Sequence, residues 1–132
     1  MVILIDADVI IEAERGRFNM DQWMASRPGD DFQCAAITIA EMWHGVERAS
    51  VQFKAERQKF IEAIFSVLTP IDYTANTARE HARIWAQSEI KGRKIGAHDL
   101  ILAATALEHG AAVATFNKKH FTAIPGLRII EP

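Results

Sequence analysis

VILIDADVII, residues 2–11, sets four uninterrupted apolar residues directly before two aspartates, Asp6 and Asp8. A short apolar run without alternation suits a strand buried on both faces, as in a parallel sheet covered by helices. The apolar residues Val9, Ile10, Ile11 and Ala13 then follow at spacings that predict a helix opening near Asp8 and stopping near Gly16. A strand that feeds straight into a helix is the repeating unit of an α/β fold.

The rest of the chain continues that alternation. Residues 21–24 predict a short helix before the breaker Pro28-Gly29, and residues 33–37 a second strand. Thr38 and Glu41 match the helix-start pattern Thr-x-x-Glu, with the helix running past Trp43 to about Ala49. Residues 53–68 place Phe53, Phe60, Ile61, Ile64, Phe65 and Leu68 at helical spacing above a charged face. A short strand over 67–71 holds Pro70, and residues 74–90 predict a long helix with Ala78, Ala82, Ile84, Trp85 and Ala86 facing inward. After the loop Lys91-Gly92-Arg93-Lys94 come a helix over 98–108, its stop at Gly110, and strands at 111–115 and 127–130. The expectation is a central, mostly parallel sheet with helices on both faces.

Composition narrows the class. The 132 residues favour one domain over 1–132, and 49% apolar residues suffice for a core without disulfides. Cys34 is the only cysteine, which excludes an intrachain disulfide and fits a reducing compartment. The first residues lack a basic head and a small-residue cleavage site, and no apolar run approaches the roughly 20 residues of a membrane helix. A cytoplasmic protein without membrane contact is expected. The net charge of −2 excludes a protein that grips nucleic acid by charge alone. Local basic stretches, Lys91, Arg93 and Lys94, then Lys118, Lys119 and His120, offer phosphate contacts.

Four acids, Asp6, Asp8, Glu41 and Asp99, each follow a strand or loop and open a helix, so a parallel sheet can bring them to one edge. Crowded carboxylates repel one another unless a cation lies among them, and hard oxygen donors suit Mg²⁺ or Mn²⁺. Each acid also has a structural reading. Asp6 and Asp99 suit a helix cap, Asp8 the helix dipole, and Glu41 a reciprocal cap with Thr38. His98, beside Asp99, is a candidate base or phosphate contact. Thr115 can hydrogen-bond a neighbouring carboxylate and Asn117 can hold a metal-bound water, although Asn is also common in turns.

VILIDADVII, ITIAEMWHGVERA and KIGAHDLILAATALEHGAAVATFNKKHF, in this order and spacing, resemble the PIN-domain nucleases, among them the VapC-like toxins of bacterial toxin–antitoxin pairs. Asp6, Glu41 and Asp99 match the family's first three acids. The resemblance implies a PIN fold, endoribonuclease activity with Mg²⁺ or Mn²⁺, a homodimer, and inhibition by a VapB-like antitoxin whose tail covers the acidic groove. Many members carry a fourth acid after the last strong strand; here Asn117 and His120 occupy that neighbourhood. One firmly bound cation is therefore expected, with any second ion dependent on substrate phosphate.

The reading assigns Asp6, Glu41 and Asp99 as catalytic metal ligands, Asp8, Thr115 and Asn117 as their support, and Lys91, Arg93 and Lys94 as RNA contacts. Two alternatives stand beside it. A haloacid-dehalogenase-like phosphatase would use Asp6 as nucleophile and Asp8 as acid, but lacks a later pair of aspartates. A non-catalytic module would use the acidic groove only to dock a basic peptide. Trp23, Trp43 and the helix over 53–68 are candidates for a dimer surface.

Overall fold

The computed structural model describes residues 1–132. In chain order the elements are β1 (Val2–Ile5), α1 (Ala7–Glu14), α2 (Met20–Ala25), β2 (Asp31–Ala35), α3 (Ala36–Arg48), α4 (Val51–Val67), β3 (Thr69–Ile71), α5 (Ala75–Ile90), α6 (Ala97–Glu108), β4 (Ala112–Ala114) and β5 (Arg128–Ile130). A 3-10 turn, Lys118–His120, lies between the last two strands. The strands form one sheet in the order β3-β2-β1-β4-β5, and every neighbouring pair is parallel. Chain order reverses at β1, with β2 on one side and β4 on the other. The crevice outside the carboxyl ends of β1 and β4 is the place where open α/β sheets bind ligands.

The buried run in β1 is explained by packing on both faces. Leu4 joins a cluster with Ile84 of α5 and Leu100 and Leu102 of α6. Ile3 and Ile5 point the other way, among Val9 and Ile10 of α1, Met42 and Val46 of α3, and Ile61 of α4. All three β1 residues are fully buried. The registers Leu4↔Gln33 and Ile5↔Ala114 then carry Asp6 to the mouth of the crevice beside Thr115.

Several local expectations are corrected. The second strand spans Asp31–Ala35 instead of 33–37, because α3 begins at once at Ala36. Its start is tied to the chain terminus: Asp31 N–H bonds Met1 O at 2.9 Å. The Thr38–Glu41 cap does not form; α3 starts two residues before Thr38 and has no side-chain cap. Thr38, Met42 and Val46 instead make the buried stripe of α3, at i, i+4 and i+8. Tertiary packing here outweighs the capping pattern, and Glu41 is left free of the backbone.

Helix α5 is rotated relative to its expected inward face. Thr77, Ile84 and Ser88 are buried, whereas Ala82, Trp85 and Ala86 are exposed. A hydrogen bond from Thr77 Oγ1 to Glu108 Oε2 at 2.6 Å sets that rotation against α6. Phe53 is likewise exposed, whereas Ile61 and Leu68 are buried. Trp23 is half-buried, packed between Phe18 and Phe32, and Trp43 is half-buried too, so neither stands out from the surface. No helix is long and apolar enough to cross a membrane.

Thr38 Oγ1 is buried without a hydrogen-bond partner. Removing an unsatisfied buried hydroxyl while keeping its shape relieves a desolvation penalty of about 1 kcal/mol or more. Thr38→Val is expected to raise the thermal midpoint by a few degrees, measured by calorimetry beside the wild type.

Candidate active site

Asp6 is the N-cap of α1, and its extended backbone continues β1. Oδ1 accepts from Ala7 N–H at 2.8 Å, while Oδ2 accepts from Thr115 Oγ1 at 2.9 Å. Asp6 therefore caps the helix with one oxygen and meets Thr115 with the other. Asp8 does not cap. Its Oδ2 accepts from Phe116 N–H at 2.9 Å, and its two oxygens lie 3.3 and 3.2 Å from Thr115 Oγ1. Asn117 N–H completes the knot by donating to that same hydroxyl oxygen at 3.0 Å.

A hydroxyl carries one proton, so Thr115 can donate to only one of the two carboxylates at a time. The pKa of Asp6 is raised from 3.8 to about 7. Burial is the largest cause and the charge of Asp8 the next, while the bonds from Thr115 and Ala7 oppose them.

Asp99 lies in the first turn of α6, half-buried, and is not the cap; Gly96 holds that position without a side-chain bond. Burial raises the pKa of Asp99, His120 pulls it down, and Asp8 raises it again. His120 Nδ1 stands 3.4 Å from Asp99 Oδ2. A Cβ on Gly96 would come within 3.3 Å of that same oxygen, so the glycine keeps the approach to Asp99 open. Glu41, in α3, has its pKa raised first by burial; His98 opposes this, and Asp99 and Asp8 add to it. His98 and Glu41 line one cleft together.

Asp6, Asp8, Glu41 and Asp99 thus share one electrostatic neighbourhood, although as placed no three acidic, histidine or cysteine groups stand close enough to hold one ion. The donor set still fits Mg²⁺ or Mn²⁺: the donors are all carboxylate oxygens, and their pKa values are raised first by burial and then by one another's charge, which a divalent cation would offset. Cys34 is no competing ligand, being buried with its thiol pKa pushed up to about 11.

Beside Asp99 lies a cleft of about 490 Å³ lined by Arg93, Lys94, Gly96, Lys119 and His120 among others. Gly92, at φ 66°, ends α5 with Gly92 N–H on Glu89 O and Arg93 N–H on Ser88 O, at 3.0 and 2.9 Å. This helix stop turns Arg93 and Lys94 toward the cleft. Lys91, the residue before Gly92, is not among the lining residues. The contact of His120 with Asp99 carries no signal in the sequence, because it depends on the 3-10 turn folding back onto α6. Asn117 is exposed and is one of the residues lining a separate pocket beside Asp8.

A parallel sheet with acids crowded at its switch point, next to a basic cleft, describes a metal-dependent nuclease of phosphodiesters. The chain belongs to the PIN domain family, which it matches over residues 3–127. Within that family its relatives are VapC proteins. It is 33% identical over 131 residues to ribonuclease VapC1 of Rickettsia felis, covering 98% of this chain and 96% of that protein. It is 32% identical over 96 residues to the tRNA(fMet)-specific endonuclease VapC of Salmonella typhimurium, covering 72% of this chain and 70% of that one. Among solved structures, VapBC2 of Rickettsia felis bound to a promoter DNA fragment has the same fold, with a TM-score of 0.90 at 23% identity over 98% of both chains. FitAcB of Neisseria gonorrhoeae aligns with a TM-score of 0.81 at 27% identity, over 100% of this chain and 98% of that one.

A carboxyl whose pKa is raised by folding binds its proton more tightly in the folded chain, so its stabilising effect is full below the unfolded value and lost as pH rises through the folded one. For Asp6 that window runs from 3.8 to about 7. The metal-free protein is expected to melt at progressively lower temperature as pH rises across it, and added Mg²⁺ or Mn²⁺ to reverse the fall at neutral pH. Scanning calorimetry at several pH values, with and without the cation, checks both. Thr115→Val is expected to weaken Mn²⁺ binding by roughly 10- to 100-fold, read by titration calorimetry, because Asp6 and Asp8 lose the hydroxyl that orients them.

Proposed function

We propose that this chain is the toxin of a toxin–antitoxin pair, an endoribonuclease that hydrolyses RNA phosphodiester bonds with Mg²⁺ or Mn²⁺. One observation carries the reading: buried, mutually repelling carboxylates at the sheet's switch point, beside a cleft lined with Arg93, Lys94 and Lys119. That pairing serves a cation together with an anionic polymer. The VapC relatives named as ribonucleases support RNA as the substrate. Neighbours solved as VapBC complexes support a VapB-like antitoxin. A cytoplasmic homodimer is part of the same proposal.

Asp6, Asp99 and Glu41 are the catalytic acids and would hold the cation. When bound, the cation supplies Lewis-acid stabilisation of the phosphate oxygens and lowers the pKa of its water. Thr115 positions the Asp6 and Asp8 carboxylates, and Asn117 fixes Thr115 through its backbone N–H. Arg93 and Lys94 hold substrate phosphates, and Lys91 adds to the local positive field. The docking-module alternative shares the acidic groove and differs only in lacking cleavage.

Asp99→Asn is expected to abolish cleavage of total bacterial RNA by the purified protein in Mn²⁺ while leaving its melting transition cooperative. Discrete fragments from the wild type that vanish with chelator are the supporting result. Metal-bound, folded, antitoxin-free wild type that cuts no RNA would favour the docking module.

A further inference from the structure

A second pocket, of about 390 Å³, opens beside Asp8 and shares no residue with the basic cleft. Asp8, Glu12, Arg17, Phe18, Phe116 and Asn117 line it. Two local devices build its walls. Gly16, at φ 71°, ends α1, with Gly16 N–H on Ala13 O at 3.1 Å and Arg17 N–H on Glu12 O at 2.9 Å. This pair of bonds turns the chain back over its last helical turn. It sets the Arg17 guanidinium 3.6 Å from Glu12 and the Phe18 ring edge-on to Phe116, with centroids 5.3 Å apart. The facing wall is the segment that organises the acids: Phe116 N–H holds Asp8, and Asn117 N–H holds Thr115. Trp23 packs behind Phe18, and Phe32 behind Trp23, so the aromatic floor is braced before any ligand arrives.

Charge decides what this pocket takes. Asp8 and Glu12 against Arg17 leave it net negative, which repels phosphate, whereas Arg93, Lys94 and Lys119 make the other cleft the place for phosphates. A flat, neutral group with π faces and polar edges suits it. The rings offer stacking, and the Asn117 amide, Arg17 guanidinium and Glu12 carboxylate offer donors and acceptors for an edge. We propose that this pocket is a nucleobase subsite for the nucleotide next to the scissile phosphate, and that it sets base preference at the cut. The proposal rests on the ribonuclease reading of the same carboxylates. A base stacked on Phe116 touches the residue whose backbone N–H orients Asp8, which links recognition to the catalytic acids.

The test uses the full Asp99→Asn chain, with backbone NMR shifts followed during titration with the four homopolymeric tetraribonucleotides and with counterparts lacking one base. At least one homopolymer is expected to shift Arg17, Phe116 and Asn117, and loss of the base to abolish those shifts and weaken binding roughly tenfold. In the wild type with Mn²⁺, Phe116→Leu is expected to raise KM and flatten the base preference at one flank of the cut. Arg17→Ala, at an exposed position, serves the same purpose should the leucine variant fail to fold. Oligonucleotides that shift only Arg93, Lys94 and Lys119, and bind equally without the base, would overturn the subsite and leave the nuclease reading intact. Base-dependent shifts in a chain whose wild type cuts no RNA would remove the nuclease reading and leave the base pocket standing. Shifts at the three pocket residues from an arginine-rich peptide, and from no oligonucleotide, would overturn the proposal in favour of a protein side chain.

Discussion

Everything at the working edge of this molecule depends on holding the Asp6 carboxylate, almost wholly buried, next to Asp8. With its pKa raised from 3.8 to about 7, ionised Asp6 costs on the order of 4 kcal/mol of stability at neutral pH. The strand that carries it supplies the offset. Ile3, Leu4 and Ile5 are fully buried, each contributing about 1.5–3 kcal/mol. Burial on both faces of β1 is thus what allows an unfavourable charge to be fixed at its end. A cation that neutralises the cluster would recover part of that cost, coupling metal binding to stability.

Thr115 concentrates this logic in one hydroxyl. It touches Asp6, Asp8 and the backbone of Asn117, across the β1–β4 pairing that the sheet register creates. The segment after β4 therefore serves three ends. Its first residue positions the acids, Phe116 and Asn117 wall a pocket beside Asp8, and Lys119 and His120 close the basic cleft beside Asp99. Two glycine stops at positive φ, Gly16 and Gly92, bring the opposing walls of these two recesses into place. In the proposed reading, phosphate and base recognition are divided between them by charge.

Some of this was legible from residue order. VILI before Asp6 announced a doubly covered strand, and the alternation of strands and helices announced the parallel sheet. Asp6, Asp8 and Asp99 were legible because each sits where a strand or loop gives way to a helix, whereas Glu41, expected at a helix start, stands in the second turn of α3 because that helix begins at Ala36. The Thr38-x-x-Glu41 pattern misled, because a capping box is a local preference worth about 1 kcal/mol. The buried stripe Thr38–Met42–Val46 outweighs it and starts the helix earlier. The inward face of α5 misled for a related reason. Trp85 was expected inward together with Ala82 and Ala86, but the helix packs on α6 through Thr77, Ile84 and Ser88, with Thr77 bonded to Glu108, so that Trp85 faces outward.

Periodicity, composition and the order of the acidic blocks determined the fold class, the absence of a disulfide framework and the residues worth testing, since those properties are carried by neighbours along the chain. The tertiary structure alone decided which groups meet. Thr115 lies 109 positions from Asp6, and His120 reaches Asp99 from a different connection. Strand order, register and helix rotation arise from long-range packing, and no short stretch of sequence contains them.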